Sequence, residues 1–491
     1  MKVSNKSFHS PPTIISAVKK DENWRKNWLH RSAEMNAKVY LQYLKEHGKQ
    51  ASLSTILDAK EERVRRQQEY LRQGETLLCF TLNVPGACKR CELFDKGFQR
   101  GCELILQQLS WHRVAIKKQE IVCSEAGCEL YVLCDADSLR IKRLMLQIEE
   151  NDDFGRLLDI DVLRNDGSKI SRSDVGMEPR RCLLCEEAAA VCGRSRAHSY
   201  EDLLLKMIDV LQEYFADEFL DRVASNAARA LLYEVAASPK PGLVDRCNSG
   251  SHRDMDFFTF IDSAAVLAPY FRGFAQQGRE LAEQPVEQIL PQLRYPGRLA
   301  EEQMKKITHG VNCHKGIIFS LGVICCALGM RYEQGKPFNV HETLQLSKEI
   351  CAALLDDFKS ITEPHSYGER LYIQYGIKGI RGEAAEGYPS VENVALPALR
   401  NYLKQGFSLN DAGAWTLLEL LVVTEDSNIL ARSDIETLRM VQKQAQDLLN
   451  APERSMDLLN DLDRRFIQQN LSPGGCADLL ALTYFLHFMD E

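Results

Sequence analysis

The chain has 491 residues, too many for one hydrophobic core, so its length predicts two or three domains. Its 61 basic and 69 acidic residues give a formal net charge of −8, and no long basic run could follow a polyanionic backbone. We therefore expect no nucleic-acid partner. The longest apolar stretch, residues 316–329, is shorter than the roughly 20 residues that span a bilayer, which predicts a buried helix and no membrane partner.

The amino-terminus and the cysteines indicate the compartment. The first twenty residues are basic but lack the continuous apolar core of a secretory signal peptide. The 16 cysteines occur in a long chain without the short, disulfide-dense framework of secreted domains. We therefore expect reduced thiols and a cytoplasmic protein.

The apolar periodicity changes along the chain. Residues 1–50 show helical spacing around Trp28, Met35, Tyr40 and Tyr43 but no chemical motif, and we assign them to an amino-terminal extension. Residues 54–73 predict a helix whose many charges a solvated face explains, and the runs 77–84, 113–123 and 128–136 predict strands. From about Glu201 the spacing is helical to the end. We predict a multidomain fold, with an α+β domain over 51–215 and an all-α domain over 216–491.

The α+β half carries an acidic pair. Asp159 and Asp161 alternate along a strand-like run, so they face the same side of the strand. Such a pair suits a Mg²⁺ ion that bridges a diphosphate, and an acidic pair at a strand edge explains the pattern equally well. The candidate phosphate-binding cations of this half are Lys89, Arg172, Arg180 and Arg181, although any one of them could be a surface cation.

Four further side chains in this half have the chemistry of zinc ligands. Cys182, Cys185, Cys192 and His198 follow the pattern C-x2-C-x6-C-x5-H. The residue types are those of a structural Zn²⁺ site, although the spacing is not a standard one. The alternative is a packing cluster of buried thiols, which needs no metal. We interpret a second C-x2-C pair, residues 88 and 91, as incidental.

Four loops interrupt the helical pattern of the second half, and each combines Gly or Pro with charged or amide side chains. They span residues 238–256, 308–316, 375–389 and 426–428, and the segment 472–480 near the carboxyl-terminus joins them. Repeated carboxylates, cations and glycines in separate loops suit a Mg²⁺-bound polyphosphate. The loops are therefore the candidate site.

Individual residues in these loops have candidate roles. The candidate phosphate-binding residues are Lys240, Arg246, Asn312, His314, Lys315 and Arg381. Asp254 and Asp256 are candidate Mg²⁺ ligands, and Glu383 is the candidate general base. Glu383 and Glu386 lie three residues apart, so they face the same way if this segment is helical. Solvated turns, surface lysines or helix caps are the ordinary explanations for Asp245, Asp254, Asp256, Lys315 and Asp478.

The second half resembles a known family. The motifs SPKPGLVDRCNSGSHRDMD, THGVNCHKGIIFSLG, IRGEAAEGYPSV, DSNIL and NLSPGGCADLLALTYFL are similar to those of triphosphoribosyl-dephospho-CoA synthase of the citrate lyase system, over residues 225–491. The resemblance implies an all-helical fold and the conversion of ATP and dephospho-CoA into triphosphoribosyl-dephospho-CoA and adenine. Because the product keeps the triphosphate, we expect Lys240, His314 and Lys315 to hold it together with Mg²⁺.

The first half resembles a second family. The segments FTLNVPGACKRCELFDKGF, GRLLDIDVLRNDGSKISRSDVG and RRCLLCEEAAAVCGRSRAH are similar to apo-citrate lyase phosphoribosyl-dephospho-CoA transferase, over residues 54 to about 215. This implies transfer of the group to a serine of the citrate lyase acyl carrier protein, the gamma chain, with release of diphosphate. The product of the second half's reaction is the substrate of the first half's reaction, so we predict a bifunctional enzyme. One alternative is that the first half is a non-catalytic, zinc-stabilised adaptor that recruits the carrier protein. The other is that the same chemistry modifies the carrier protein of malonate decarboxylase.

Overall fold

The protein is described here by a computed structural model that covers residues 37–71, 75–354 and 367–491. The helical spacing predicted around Trp28 and Met35 lies outside the described residues. The chain divides into two compact units, Met1–Asp217 and Glu218–Glu491. The predicted change from mixed α/β structure to helical structure along the chain is confirmed.

The first unit is built on a four-stranded antiparallel sheet with strand order β2-β3-β1-β4. Its elements in chain order are α1 (Ala37–His47), α2 (Leu53–Leu71), β1 (Thr76–Leu82), α3 (Glu92–Trp111), β2 (Ala115–Ser124), β3 (Gly127–Asp135), α4 (Ser138–Glu149), β4 (Leu158–Leu163), α5 (Ala189–Ser195) and the start of α6 (Tyr200–Ala236).

Side chains of this sheet alternate between two apolar layers, as the two-residue period of a strand requires. On one face Phe80 and Val132 belong to the main core, which α3 and α4 complete. On the other face Cys79 and Tyr131 pack with Tyr70 of α2 in a smaller cluster. Helices therefore cover both faces of the sheet, and the acidic residues of β4 lie on the face that packs against α2.

Helix α1 corrects the assignment of residues 1–50 to an extension. Its apolar stripe, which includes Tyr40, Leu41 and Leu44, is buried in the main core of the first unit. The Tyr40 hydroxyl donates to the sulfur of Cys91 at 3.5 Å. Residues 37–47 are thus part of this unit, because the stripe must be buried against the core that α3 also covers.

One pair of cysteines corrects the prediction of reduced thiols throughout. Cys123 and Cys128 form a disulfide, while the other fourteen cysteines are free. The two residues face each other directly across the β2–β3 hairpin, with Cα atoms 4.1 Å apart. The tight turn between the strands creates this proximity, which spacing along the sequence does not show.

The second unit is helical in its described residues. After the end of α6 it contains α7 (Phe257–Glu280), α8 (Ile289–Ile307), α9 (Lys315–Glu333), α10 (Val340–Cys351), α11 (Tyr367–Tyr375), α12 (Gly379–Glu386), α13 (Leu396–Lys404), α14 (Leu409–Val423), α15 (Ser427–Arg432), α16 (Ile435–Leu449), α17 (Met456–Gln468) and α18 (Gly474–Asp490). Side chains that cap helix starts by accepting backbone N–H groups are Asp256, Asn339, Ser408, Asp426, Asp434 and Ser455.

Helix α9 is one of the two helices that contribute the most buried apolar residues to this unit, and α18 is the other. Nearly every residue from Ile317 to Met330 is buried, as the apolar run predicts. By length and composition alone the helix is also long and apolar enough to cross a membrane, but most of it is buried inside the unit. Helix α7 packs closely on it because Gly329 has no side chain, since a Cβ there would come within 1.9 Å of the Ala275 carbonyl oxygen.

Candidate active sites

A cavity of about 860 Å³ lies in the second unit. All four predicted loops and the segment 472–480 contribute to its wall, so the structure brings these distant segments together. One residue from each is Lys240, His314, Glu383, Asp426 and Asp478. The cavity is the candidate active site of this unit.

The first loop, residues 238–256, is organised by two aspartates. Asp245 is buried and accepts the backbone N–H groups of Lys240 and Asn248, both at 3.0 Å. Asp463 of α17 accepts the side-chain amide of Asn248 at 2.9 Å. These bonds hold the loop in one shape, so Asp245 positions backbone and does not face a ligand.

Lys240 forms a buried ion pair with Glu234 of α6. The lysine is only 1% exposed, and its ammonium donates to the Glu234 carboxylate. Burial raises the pKa of Glu234, and the charge of Lys240 partly offsets that effect. The sequence predicts Lys240 as a phosphate ligand, but its charge is already balanced, so the structure gives it a stabilising role in the cavity wall.

The entrance of α9 presents His314, Lys315 and Asn312 to the cavity. Asn312 accepts the backbone N–H of Lys315 at 3.2 Å, and the Lys315 ammonium lies 3.3 Å from Glu301. The His314 ring bonds through Nδ1 to the Ser263 hydroxyl at 2.7 Å, while Nε2 is buried without a partner. An unpaired buried nitrogen at a cavity wall is suited to a ligand hydrogen bond.

The charge state of His314 corrects its predicted role. Burial, reinforced by the charge of Lys240, lowers the pKa of His314 to about 3. The imidazole is therefore neutral at pH 7, and it offers a ligand a hydrogen bond but no positive charge. The positive charge near this helix entrance comes from the exposed side chain of Lys315.

Asp426 joins the starts of two helices. Its Oδ1 accepts the backbone N–H groups of Asn428 and Ile429 in α15, at 2.8 and 3.1 Å. Its Oδ2 accepts the N–H of Cys476 in α18 at 2.8 Å. Gly475 permits this contact, because a Cβ there would lie 3.0 Å from Oδ2. Asp426 therefore fixes the geometry of the cavity floor.

Asp478 of α18 is a cavity carboxylate on which other carboxylates act. It accepts the backbone N–H of Ile317, and the residue beside it must be Gly316 because a Cβ there would lie 2.0 Å from Oδ2. Burial, then the charges of Glu234 and Asp426, raise the pKa of Asp478 well above its usual value. A cation in the cavity would relieve this excess of negative charge.

Helix α12 directs Glu383 and Glu386 into the cavity, as their three-residue spacing requires. The Ser390 hydroxyl donates to Glu383 at 2.6 Å, and burial raises the pKa of Glu383. Glu386 pairs with Lys378 at 2.7 Å. A half-buried carboxylate with a raised pKa has the property that a general base near neutral pH needs.

Four predicted site residues do not line this cavity: Asp254, Asp256, Arg246 and Arg381. Asp256 caps α7 by accepting the Thr259 N–H at 2.9 Å, and the Asp254 side chain is 67% exposed. Arg246 donates to Asn410 at 2.7 Å, and Arg381 lies on the exposed side of α12. These predictions are corrected, because a residue's place in a loop does not fix the direction of its side chain.

Several cavity residues, among them Glu234 and Arg432, lie outside the segments that the sequence singles out. Glu234 is a charged residue between buried Leu231 and Val235 on α6, and that break in the apolar stripe is a signal that the sequence contains. Arg432 ends α15 and donates to the Ser251 carbonyl at 2.9 Å. No sequence signal identifies this contact, which spans 181 positions of the chain.

The first unit has its own cavity, of about 320 Å³. Lys89 and Asp159 line it, together with Lys60 and Arg63 of α2. Lys89 donates to the Val84 carbonyl at 2.5 Å, and burial followed by the charge of Lys60 lowers its pKa. The solvated face predicted for α2 is thus corrected: part of its charge faces a cavity suited to an anion.

The acidic pair on β4 has the predicted orientation. Asp159 and Asp161 stand opposite Thr81 and Cys79 of β1, so both face the same side of the sheet. Asp161 pairs with Lys169, and Asp159 lies 3.8 Å from Arg180. Of the two carboxylates Asp159 alone lines the cavity, and the Mg²⁺ role of the pair stays a prediction.

The remaining cations predicted for this half have other partners. Arg172 donates to Glu150 at 2.6 Å, and Arg181 pairs with Glu186 at 2.6 Å. Neither lines the cavity, so both predictions are corrected. The ligand atoms of Cys182, Cys185, Cys192 and His198, in contrast, lie within 4.8 Å of one another.

Comparison with known proteins agrees with this division. Residues 51–214 match the family described as apo-citrate lyase phosphoribosyl-dephospho-CoA transferase, and residues 220–491 match ATP:dephospho-CoA triphosphoribosyl transferase. Protein CitXG of Haemophilus influenzae is 36% identical over 90% of this chain and 97% of its own length. Protein CitXG of Leuconostoc mesenteroides subsp. cremoris is 32% identical over 90% of this chain and 98% of its own length. A 2-(5''-triphosphoribosyl)-3'-dephosphocoenzyme-A synthase of Pectobacterium atrosepticum is 39% identical over 57% of this chain and 92% of its own length.

Two units, each with a cavity and a transferase family match, define a two-domain transferase. Both resemblances drawn from the motifs are confirmed. The chain belongs to the CitXG family, in which an apo-citrate lyase phosphoribosyl-dephospho-CoA transferase domain precedes an ATP:dephospho-CoA triphosphoribosyl transferase domain.

Proposed function

We propose that the 860 Å³ cavity binds ATP and dephospho-CoA and joins them with loss of adenine. A ribose hydroxyl oxygen of dephospho-CoA bonds to C1′ of the ATP ribose, the bond from C1′ to adenine breaks, and the triphosphate stays on the product. The observation that carries this proposal is the convergence of all five family-like segments on one cavity.

Glu383 is the proposed base that takes the proton of the attacking hydroxyl. It is half-buried in the cavity wall, and Ser390 fixes its orientation through two hydrogen bonds, at 2.6 and 3.3 Å. Its raised pKa makes it a better proton acceptor than an exposed glutamate. The same carboxylate would stabilise positive charge that develops at C1′ as adenine leaves.

The entrance of α9 is the proposed triphosphate site. Lys315 supplies charge there, and the positive end of the dipole of α9 favours anions. Asp478 fits a Mg²⁺ ion that accompanies the triphosphate. The charged groups that raise its pKa, Glu234 and Asp426, are carboxylates, and Mg²⁺ takes few protein oxygens when phosphates complete its shell. Mg²⁺, when bound, would neutralise phosphate charge and orient the nucleotide.

The first unit is proposed to transfer the completed group to a serine of the citrate lyase acyl carrier protein. The serine oxygen bonds to the phosphorus next to the ribose, and diphosphate leaves. The Lys60 and Lys89 side chains around the 320 Å³ cavity would hold the phosphates, and Arg63, which pairs with Glu129, adds positive potential beside them. A cavity lined by cations favours this function over that of a non-catalytic adaptor.

The overall proposal is tested by incubating the full chain with ATP, dephospho-CoA, Mg²⁺ and the apo form of the carrier protein. We expect stoichiometric release of adenine and of diphosphate, and a mass increase of the carrier protein equal to one phosphoribosyl-dephospho-CoA group. The same assay with a malonate decarboxylase carrier decides between the two carriers. Adenine release without modification of either carrier would indicate that the first unit is an adaptor.

We propose that Asp159 takes the proton of the attacking serine hydroxyl, so Asp159→Asn should slow carrier modification by about 100-fold or more, the usual scale for loss of a positioned acid–base group. Asp159 faces the cation-lined cavity, and its carboxylate lies 3.8 Å from Arg180. Adenine release should be unchanged, because Asp159 belongs to the other unit. Asp166→Asn, in an exposed turn after β4, is the matched control. A parallel fall of both activities would refute the division of labour.

We expect His314→Phe to raise the KM for ATP by about three- to tenfold, since a hydrogen bond between neutral groups contributes roughly 0.5–1.5 kcal/mol. Phenylalanine keeps the ring packed against Phe260 but removes the unpaired Nε2. Because the pKa of His314 is about 3, the effect should not vary between pH 6 and 9. His341→Phe, exposed on α10, is the control. A wild-type KM, or an effect that titrates near pH 6.5, would contradict this role.

A further inference from the structure

Cys182, Cys185, Cys192 and His198 converge at one point in the first unit. The sulfurs of Cys185 and Cys192 are 3.4 Å apart, and Nε2 of His198 lies 3.3 Å from the Cys185 sulfur. All four ligand atoms fall within 4.8 Å of one another. Among the described residues, no other group of three or more His, Cys, Asp or Glu side chains is close enough together to hold a metal ion.

These separations match a tetrahedral metal site. With Zn–S bonds of about 2.3 Å and Zn–N bonds of about 2.0–2.1 Å, neighbouring ligand atoms lie about 3.6–3.8 Å apart. The observed separations of 3.3 and 3.4 Å are slightly shorter and leave room for one small ion but not for a multinuclear cluster. Three sulfurs and one imidazole nitrogen are a ligand set that zinc prefers.

The backbone around the cluster also favours metal binding. The N–H groups of Leu184 and Cys185 donate to the Cys182 sulfur, which is how a C-x2-C turn stabilises a thiolate. The N–H of Cys182 donates to the Glu187 carbonyl at 2.7 Å and closes the turn. The ligands are thus held by local structure and not only by side-chain packing.

The segment has almost no apolar core. In residues 171–200 only Cys182 and Cys192 are buried, and α5 is a helix of 7 residues. Hydrophobic burial therefore cannot hold this stretch in one conformation, and small segments of this kind are commonly stabilised by a metal. This observation counts against the alternative of a packing cluster of thiols.

We propose that Cys182, Cys185, Cys192 and His198 bind one structural Zn²⁺ ion that fixes this segment beside the cavity of the first unit. Four protein ligands complete the coordination shell, so the ion has no open position for substrate. The proposal rests on the ligand geometry and does not depend on the reaction proposed for either cavity.

The metal site is linked to the cavity by two arginines. Arg156, just before β4, donates to the Cys182 carbonyl at 2.5 Å. Arg180, two residues before the first ligand, donates to the carbonyls of Arg156 and Leu158 and lies 3.8 Å from Asp159. Loss of the ion would release this segment from β4, so carrier modification should fall while adenine release is retained.

The test uses the full chain, produced with zinc in the medium and passed through a desalting column. We expect one zinc per chain in the wild type and in Cys247→Ser, whose exposed cysteine lies outside the cluster. Cys185→Ser and His198→Ala should each lose most of the metal. Replacement of zinc by Co²⁺ in the wild type should give the absorption bands of a tetrahedral thiolate site, a readout that needs no variant to fold.

After zinc is removed with a chelator and the chain is desalted into zinc-free buffer that contains Mg²⁺, residues 171–200 should be susceptible to protease while adenine release continues. A wild-type chain that retains no zinc after incubation with the ion and desalting would overturn the proposal. So would full zinc content in Cys185→Ser, or an iron content of one per chain in place of zinc. Loss of carrier modification with zinc still bound would instead count against the function proposed for the first unit and leave the metal site intact.

Discussion

Asp478→Asn should reduce adenine release by about 10- to 100-fold at saturating ATP and dephospho-CoA, the scale seen when a metal site loses its support. The carboxylate lies at the entrance of α9 against Gly316, where no larger residue fits. Two carboxylates, Glu234 and Asp426, add to its negative potential. Asparagine keeps the shape but removes the charge that we propose attracts Mg²⁺, so the Mg²⁺ concentration for half-maximal activity should rise.

The same substitution should stabilise the fold at neutral pH. A carboxyl group whose pKa is raised on folding favours the folded state only while it is protonated, so it destabilises the chain once the pH exceeds its unfolded pKa. Asparagine cannot ionise, and the variant should melt at a higher temperature than the wild type at pH 7 to 8. The difference should shrink as the pH falls towards 4. Thermal melts followed by circular dichroism measure this directly.

Asp254→Asn is the matched control for Asp478→Asn. It makes the same chemical change in a loop residue that does not line the cavity, and its side chain is 67% exposed. We expect wild-type adenine release and Mg²⁺ dependence from this variant. Near-normal activity of Asp478→Asn, or a large loss in Asp254→Asn, would return the Mg²⁺ site to the loop that the sequence alone suggested.

Glu383→Gln should lower kcat for adenine release by ~100- to 10,000-fold, the range for removal of a general base. The KM for ATP should change little, because glutamine can still accept the hydrogen bond of Ser390 and keep the loop in place. Since the pKa of Glu383 is raised by burial, kcat of the wild type should decline as the pH falls through that pKa. The variant should lack this decline.

The control for Glu383→Gln is Glu349→Gln, on the exposed side of α10. Both changes remove one carboxylate from a helix, but only Glu383 faces the cavity. A near-normal kcat for Glu383→Gln at saturating substrates and Mg²⁺ would remove this residue from the chemistry. A loss confined to KM would make it a binding residue.

Local geometry explains which parts of the sites the sequence could predict. Residues three apart on a helix and two apart on a strand share a face, so Glu383 with Glu386 and Asp159 with Asp161 have the predicted orientations. The convergence of the four cysteine and histidine side chains agrees with their spacing, because they lie within 17 positions of chain. In each case the backbone conformation of a short segment decides the outcome.

The wrong predictions, in contrast, depend on contacts between residues far apart in the chain. Asp254 and Asp256 have the right chemistry for Mg²⁺, but Asp256 is used as a helix cap and Asp254 points to solvent. The charge of His314 depends on burial and on Lys240, which is 74 positions away in the chain. The neutralisation of the Lys240 charge by Glu234 likewise depends on how α6 packs. None of these properties follows from local residue patterns.

The sequence by itself determined the two family memberships, their order, and the segments that carry the second site, because these depend on residue identity and on local periodicity. Only the tertiary structure decided which carboxylates and cations in those segments reach the cavity and which charges they carry there. The physical reason is that side-chain direction in a loop, and the pKa of a buried group, depend on contacts with helices far away in the chain, such as those of Asp478 with Glu234, Gly316 and Asp426.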